Sequence, residues 1–407
     1  MNSDRPVVRS SGRPVVDVRR SDCTDPIAAF VAAAPGRRVL WWDGEHDWLL
    51  AEGSAWEEAV DGPGRCVHAA AAQARFWATA SITAPAEAPV EVVRLMTALS
   101  FEDRAPGPSH WGAALPGLRL WLPARCTVAM AGGTWTSSAP AMMLPTEPDA
   151  AWAPLPVSDF ATLVEDAVDL LRDGALRKVV LARAVDLPTT ADLTDILRRL
   201  ATAPGLGTVY AIDVPGGVFL GRSPERLFRV NGDQLATMAL AGSASGPGAA
   251  GRLLASTKER KEHNLVVEHV VTALRPRCAP FAVPESPTPL DLGRLVHLFT
   301  PINATVLRPD WFDLIQALHP TPAVCGLPTA TAAHYVARRE KLHRGLYTGV
   351  LGWCARNAAD CLVPLRGGIL RNGSCRCFAG AGIVETSDPA AELAETEVKF
   401  GAMRAVL

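Results

Sequence analysis

The sequence predicts an α/β (α+β) fold: one large domain of antiparallel sheets with helices packed outside them. Turn signals that favour hairpins join apolar runs, as at 215–217, 231–232 and 372–373. Strand-helix-strand crossovers are few, which argues against a doubly wound parallel sheet. A length of 407 residues, of which 48% are hydrophobic, suits two domains or one large interleaved domain.

Residues 1–150 are predicted to form the N-terminal structural half of this fold. Short apolar runs at 37–44, 118–123 and 127–135 are broken by Gly and Pro, which is typical of strands joined by turns. Nine of the eleven tryptophans lie before residue 153. Buried aromatic area is the commoner use of such residues, although a ligand platform is the alternative. A proline-rich link at 151–159 leads into a second region, 155–407.

The second region alternates between helical and strand patterns. Apolar residues at helical spacing predict helices at about 160–171, 191–203, 252–275, 311–318 and 330–343, and from about 389 onward. Apolar runs predict strands at 178–187, 208–214, 218–223, 226–230, 235–243, 295–306, 349–355, 361–370 and 375–384.

Composition favours a protein that acts on small molecules. The formal net charge of -2 gives no basic surface for nucleic acid or for a membrane. The first twenty residues are polar and Arg-rich, unlike a signal peptide, and no apolar run is long enough to span a bilayer. Nine cysteines lack CxxC spacing, so we expect reduced thiols and a cytoplasmic location.

Two distant segments carry the same Glu-x-x-Glu pattern. Glu259 and Glu262 form one pair, and Glu392 and Glu395 form the other. Residues three apart share a helix face, so each pair projects in one direction. If the fold brought the faces together, four carboxylates would require a hard cation, and Mg²⁺ is the expected one. Alternatively, both pairs are solvated acidic faces.

The motifs of the second region resemble the chorismate-utilising enzymes, which include isochorismate, salicylate, anthranilate and aminodeoxychorismate synthases. The resemblance rests on KVVLAR (178–183), FLGRSPERL (219–227), ALAGS (239–243), KERKEH (258–263), LVHLFT (295–300), LHPTPAVCGLP (318–328), RGLYTGVLGW (344–353), VPLR (363–366), AGAGIV (379–384) and ELAETEVK (392–399). The family commonly completes one α/β fold with its N-terminal half.

The resemblance implies three catalytic residues. Lys178 matches the lysine that activates the attacking water, and Glu225 matches the acid that protonates the departing C4 hydroxyl of chorismate. His319 matches a histidine near the ring hydroxyl, where we expect it to orient the substrate. Without the resemblance, Lys178 would be assigned to the solvent and Glu225 to a salt bridge with a neighbouring arginine.

The resemblance also implies a metal site and a substrate site. Glu262 and Glu395 match direct Mg²⁺ ligands, with Glu259 and Glu392 acting partly through water. The expected substrate-binding residues are Gly242, Ser243, Ala323, Tyr347, Arg366, Gly380, Gly382 and Lys399. Among these, Arg366 and Tyr347 match groups that hold the pyruvyl carboxylate.

Within the family, the residues favour an isochorismate synthase. Lys178 favours water over ammonia, so no glutaminase subunit is expected, and we expect a monomer. Salicylate synthases tend to carry threonine at the position of Ala323. The alternatives are a salicylate synthase, a 2-amino-2-deoxyisochorismate synthase and a non-catalytic chorismate-binding protein. Residues 244–248 are richer in Gly and Pro than is common in the family, which suits a specialised pathway as well as siderophore or menaquinone synthesis.

Overall fold

The computed structural model describes residues 13–43, 47–103, 115–130, 132–143, 155 and 159–407. The predicted link at 151–159 lies almost wholly outside these residues.

The described residues form strands and helices throughout their length. The strands are β1 Val15–Arg20, β2 Val39–Trp42, β3 Trp48–Glu52, β4 Trp56–Val60, β5 Ser81–Thr83, β6 Leu95–Leu99, β7 Leu118–Leu122, β8 Arg125–Met130, β9 Gly133–Ser138, β10 Lys178–Pro188, β11 Thr208–Val214, β12 Gly217–Ser223, β13 Arg226–Asn231, β14 Gln234–Ala244, β15 Cys278–Ala282, β16 Thr288–Asp291, β17 Val296–Val306, β18 Gly326–Leu327, β19 Val350–Cys354, β20 Ala358–Leu362, β21 Gly367–Arg371 and β22 Ser374–Ile383. The helices are α1 Pro26–Ala32, α2 Arg65–Thr79, α3 Phe160–Arg172, α4 Leu193–Thr202, α5 Ala249–Ala255, α6 Thr257–Leu274, α7 Trp311–Leu318, α8 Thr329–Arg339 and α9 Pro389–Arg404, with a 3₁₀ turn at Val90–Val92.

Two large sheets organise the chain. One has the strand order β18-β10-β22-β21-β12-β11-β2-β3-β8-β9-β1-β5, and the other has the order β15-β17-β14-β13-β20-β19-β6-β7-β4, with β16 paired to β17. Strands of the N-terminal and C-terminal parts pair directly in both sheets, through β2 with β11 and β6 with β19. Of the strand pairs described, β1 with β5 is parallel and the others are antiparallel, as predicted.

Local turn chemistry explains the hairpins. Asn372 and Gly373 join β21 to β22 with φ values of 46° and 75°. Both values lie in the left-handed region, which Asn and Gly tolerate better than other residues and which a tight hairpin requires. The predicted turn at this position is therefore confirmed.

Three predicted boundaries are wrong. The helix expected at 252–275 is two helices, because Ser256 ends α5 and its hydroxyl accepts a bond from the Glu259 amide to start α6. The strand expected at 361–370 is β20 and β21, which belong to different sheets, and Arg366 lies at the crossing with φ 50°. The helix expected at 330–343 ends at Arg339, shortly before Lys341 adopts a positive φ.

Three apolar clusters hold these layers together. The largest joins inward residues of both sheets with α2, α6 and α7. A second packs α1, α4 and α9 against the larger sheet, and a third packs α3 and α8 against β10 and β22. The predicted burial of aromatic area is confirmed for Trp41, Trp48, Trp56, Trp121 and Trp135. The other predicted arrangement, helices outside the sheets, is confirmed as well.

The nine cysteines are free thiols, and eight of them are buried. No helix in the described ranges combines the length and apolar character that crossing a membrane requires.

Candidate active site

A cavity lies where the ends of β10, β14 and β22 meet helices α6 and α9. Twelve of the predicted site residues line it: Lys178, Glu225, Gly242, Ser243, Glu262, Ala323, Tyr347, Arg366, Gly380, Gly382, Glu395 and Lys399. Val180, Val324, Thr348, Leu365 and His297 also line it, and none of these had been assigned a role. The fold therefore brings together residues that are up to 221 positions apart, as Lys178 and Lys399 are.

Lys178 begins β10 and is 1% exposed. Its Nζ lies 2.7 Å from Oε1 of Glu262 on α6. A Cβ added to Gly382 on the neighbouring strand would lie 2.7 Å from the same carboxylate oxygen. The glycine at 382 is therefore what allows the lysine and the carboxylate to meet across the backbone of β22. The assignment of Lys178 to the solvent is excluded.

Glu225 lies in the short segment between β12 and β13 and is 6% exposed. Burial raises the pKa of its carboxyl to about 7, because a carboxylate loses hydration there, although the Thr321 hydroxyl and the Lys178 charge oppose the shift. No ion pair to Arg222 or Arg226 forms: Arg222 donates to backbone carbonyls, and Arg226 binds Asp360. The side chain is therefore an acid that holds its proton close to neutral pH.

Both carboxylate pairs lie in the first two turns of capped helices. Ser256 caps α6, which carries Glu259, and Asp388 caps α9, which carries Glu392. The amide groups and the dipole at a helix N-terminus favour negative charge nearby. The two helices thus converge with their acidic ends, and the prediction of solvated acidic faces does not hold for Glu392, which is 5% exposed.

The backbone of β14 is shaped around Glu259. Gly242 has φ 76° at an irregularity where the pairing with β17 shifts, and a Cβ there would lie 3.1 Å from Oε2 of Glu259. The same oxygen accepts a bond from the Ser243 amide, 3.1 Å away. A residue with a side chain at 242 would strain the backbone and displace the carboxylate.

The carboxylates repel one another. Burial is the main cause that raises the pKa of Glu259, and the Glu262 charge adds to it. Burial likewise raises the pKa of Glu392 to about 7, with a contribution from Glu395. Burial also acts on Glu395, but Lys399 outweighs it and lowers the pKa of that carboxyl. The Lys399 Nζ donates to Glu395 at 2.5 Å and to the Gly380 carbonyl at 2.6 Å.

Arg366 and Tyr347 form a polar wall of the cavity. Tyr347 stacks on Phe378 with ring centroids 5.1 Å apart, and burial raises the pKa of its hydroxyl to about 12. The Arg366 Nη2 donates to Nε2 of His297 at 3.1 Å. His297 Nδ1 in turn donates to the Gly242 carbonyl, and burial beside Arg366 lowers the pKa of this imidazole to about 3. His297 is therefore neutral with its tautomer fixed, and it orients the guanidinium.

His319 is the predicted catalytic residue that is not among the lining residues. Its Nε2 donates to the Thr348 carbonyl at 2.7 Å, and burial lowers the pKa of the ring to about 4. His319 thus supports the backbone of Thr348, which does line the cavity. The histidine that faces the cavity is His297, in LVHLFT. That motif had contributed to the resemblance, but no sequence signal distinguished its histidine from His319.

The acidic residues suit a hard divalent cation by their chemistry. In the described ranges no three His, Cys, Asp or Glu side chains are already arranged as a ligand set. Glu262 and Glu395 line the cavity, each bound to a lysine, whereas Glu259 and Glu392 lie behind them. Buried carboxylates that raise one another's pKa values gain stability from a cation, and oxygen donors are what Mg²⁺ prefers.

Taken together, the cavity can perform acid–base chemistry on an anionic molecule. It combines an acid whose pKa lies near neutrality, a lysine, a guanidinium and one carboxylate from each glutamate pair within one concave site.

Comparisons with known proteins match this chain to one group. Residues 146–407 match the family model described as "Chorismate binding enzyme". Over 254 residues the chain is 39% identical to the salicylate biosynthesis isochorismate synthase of Pseudomonas aeruginosa, which covers 60% of this chain and 53% of the relative. Over 264 residues it is 36% identical to isochorismate synthase DhbC of Bacillus subtilis, which covers 60% of this chain and 66% of the relative.

In both cases the alignment spans less than two thirds of the relative's own length. Among solved structures, MenF, the menaquinone-specific isochorismate synthase from Escherichia coli, superposes with a TM-score of 0.77 at 22% identity. That superposition covers 99% of this chain and 96% of MenF, and it supports the fold over both parts of the chain.

Proposed function

This chain belongs to the chorismate binding enzyme family, and from that premise we propose that it is a Mg²⁺-dependent isochorismate synthase. The observation that carries the proposal is the pairing of Glu225, whose carboxyl has a pKa of about 7, with Lys178 in one cavity. The relatives from Pseudomonas aeruginosa and Bacillus subtilis, both named as isochorismate synthases, support the same activity.

The reaction moves a hydroxyl group around the chorismate ring. Lys178, in its amine form, takes a proton from water as the water oxygen bonds to C2. The ring double bonds shift, the C4–O bond breaks, and Glu225 gives its proton to the departing hydroxyl, which leaves as water. One water enters and one leaves, so the product is an isomer. Solvent then returns a proton to Glu225 and removes one from Lys178.

The other residues would hold the substrate still. Chorismate carries two carboxylates, and Arg366 offers a planar guanidinium whose direction is fixed by His297. We assign the pyruvyl carboxylate to Arg366 and Tyr347. Gly242, Ser243, Gly380 and Gly382 keep the backbone close to the ring, because larger residues would fill that space.

We assign Mg²⁺ to Glu262 and Glu395 as direct ligands, with Glu259 and Glu392 acting partly through water. When bound, the ion would neutralise these carboxylates and hold the ring carboxylate of the substrate. Lys178 and Lys399, which bind Glu262 and Glu395 in this structure, line the same cavity.

Water as the nucleophile requires no ammonia, so we propose that the protein acts on chorismate without a glutaminase subunit. A salicylate synthase is the second candidate, and the small side chain of Ala323 in the cavity wall is the feature that disfavours it.

The test is incubation of the purified protein with chorismate and Mg²⁺, with and without EDTA, followed by chromatography of the products. Isochorismate that forms only with free Mg²⁺ is the expected result. Salicylate with pyruvate would replace the proposal with a salicylate synthase, and an amino product formed with ammonium would replace it with the 2-amino-2-deoxyisochorismate branch. Unchanged chorismate that still binds would identify a non-catalytic binding protein.

A further inference from the structure

Arg344 and Glu340 form an ion pair that is completely enclosed by protein. Both side chains are 0% exposed. The guanidinium binds the carboxylate through two bonds, Nε to Oε1 at 2.8 Å and Nη2 to Oε2 at 2.6 Å. Neither residue lines the catalytic cavity, and the proposed reaction leaves both without a role.

The side chains of this pair form hydrogen bonds with the backbone of β10 at the edge of the larger sheet. Strand β18 pairs with β10 only at Lys178 and Val179. Just beyond, Arg344 donates to the Val180 carbonyl at 2.8 Å, and Glu340 accepts from the Ala182 amide at 2.9 Å. These side chains supply the donor and the acceptor that another strand would have supplied. Buried backbone groups require such partners.

Arg344 also reaches two other walls of the cavity. Its Nη1 donates to the Val324 carbonyl at 2.8 Å and to the Thr348 hydroxyl at 3.4 Å. Val180, Val324 and Thr348 all line the cavity. In the chain they lie within two residues of Lys178, Ala323 and Tyr347, respectively. The Arg344 guanidinium thus joins three separate segments of the chain. These segments carry the proposed base Lys178, the proposed specificity residue Ala323 and the proposed carboxylate-binding residue Tyr347.

The N-terminal part of the chain completes this arrangement. The Arg344 guanidinium lies over the Phe101 ring, 4.4 Å from its centroid. The Glu102 carboxylate accepts from the Arg344 amide at 2.8 Å and from the Gly345 amide at 3.1 Å. The segment that carries Tyr347 is therefore held on one side by its own arginine and on the other by residues that follow β6.

We propose that Arg344 and Glu340 are a positioning pair, which holds the cavity walls at Val180, Val324 and Thr348 in the geometry that the reaction needs. All five N–H groups of the guanidinium have acceptors, so the network has no free donor and fixes a single arrangement. Stability alone does not require an ion pair here, since buried pairs are often replaceable by apolar residues. The effect on turnover rests on the proposed function.

The experiment compares Arg344→Lys and Glu340→Gln with a control, Arg38→Lys, in the full-length protein. Arg38 also forms a buried two-bond pair, with Asp213 at 2.9 Å, but it does not line the cavity. Glu340→Gln keeps an oxygen that can accept from the Ala182 amide. It is therefore the test variant to use if Arg344→Lys folds poorly. Amide hydrogen exchange is measured in the segments around Val180, Val324 and Thr348. The kcat and KM of each variant are measured as well, at a temperature where circular dichroism shows that the variant is folded.

The expected result is faster exchange at 178–184, 322–326 and 344–349 in both test variants, with the rest of the chain unchanged. The kcat of Arg344→Lys falls about 10²-fold, more than KM rises, because small displacements of reacting groups are costly. Arg38→Lys leaves the exchange of these segments and kcat within about twofold of the parent.

Unchanged exchange in the three segments, or a kcat loss matched by Arg38→Lys, would overturn the proposal. If the parent protein does not turn over chorismate, the proposed function fails. The exchange comparison then decides the positioning role by itself: selective loosening supports it, and loosening equal to that of Arg38→Lys overturns it.

Discussion

The Nζ atom of Lys178 lies 2.7 Å from Oε1 of Glu262, and both side chains line the same cavity. The contact joins the proposed base to a proposed metal ligand. Gly382 allows this approach, since a Cβ at that position would lie 2.7 Å from the same carboxylate oxygen.

Replacement of Lys178 should slow the reaction strongly without unfolding the protein. We expect Lys178→Gln to lower kcat by about 10²- to 10⁴-fold, because proton transfer from water loses its acceptor. Chorismate binding, measured by calorimetry, should persist, since Arg366 and Tyr347 remain. Lys261→Gln is the matched control, because Lys261 is exposed on α6 next to Glu262 in the chain. Equal losses in both variants would contradict the role of Lys178.

Ionisation of Glu225 should appear in the pH dependence of the rate near neutrality. Burial raises the pKa of Glu225 to about 7, so the proton that it must donate is present below that pH and lost above it. A kcat profile from pH 5.5 to 9 tests this. In Glu225→Gln the rate should be low at every pH; a parent profile that is still rising at pH 9 would rule out Glu225 as the acid.

Ionisation of the Glu225 carboxyl should lower the stability of the protein as the pH rises. Its pKa rises from 4.5 in the unfolded chain to about 7 in the fold, so ionisation destabilises the protein increasingly from about pH 4.5 to pH 7. Relative to the parent, Glu225→Gln should therefore gain about 2 kcal/mol of unfolding free energy between pH 5 and pH 8. Urea unfolding at both pH values measures this, and the exposed Glu385→Gln should show no such gain.

A hydroxyl at position 323 should change the products. Ala323 lines the cavity beside Val324, whose carbonyl is held by Arg344. We expect Ala323→Thr to increase salicylate and pyruvate relative to isochorismate, as measured by chromatography. Ala323→Val has nearly the same shape without the hydroxyl, so it separates polarity from bulk. An unaltered product ratio in the threonine variant would count against the role of Ala323.

The four carboxylates should differ in how strongly they hold the metal. Glu395→Gln removes a proposed direct ligand. It should weaken Mg²⁺ binding more than Glu392→Gln, which removes a group proposed to act partly through water. Loss of such a group typically lowers metal affinity about 10- to 100-fold. Calorimetric titration of Mg²⁺ without substrate measures both. Similar affinities in the two variants and the parent would show that the ion is not held here.

Much of the fold followed from local signals. The Asn372-Gly373 turn joins the strands that it was predicted to join, because the conformation it needs is a property of those two residues. Ser256 shows the limit of such signals. Its cap divides one predicted helix into two, since a continuous helical pattern in the sequence does not reveal where the axis changes direction.

The sequence by itself determined most of the side chains that line the cavity, because Lys178, Glu225, Glu262, Arg366 and Glu395 lie in motifs whose residue types are tied to their chemistry. Only the tertiary structure decided which histidine faces the cavity and what Arg344 does. His297 and His319 both lie in short apolar motifs, and the register between β14 and β17 places His297 beside Gly242 and Arg366. Arg344 opens the motif at 344–353, and no role was assigned to it from the sequence. Its burial arises from backbone groups of distant segments, which become neighbours only when the sheets form.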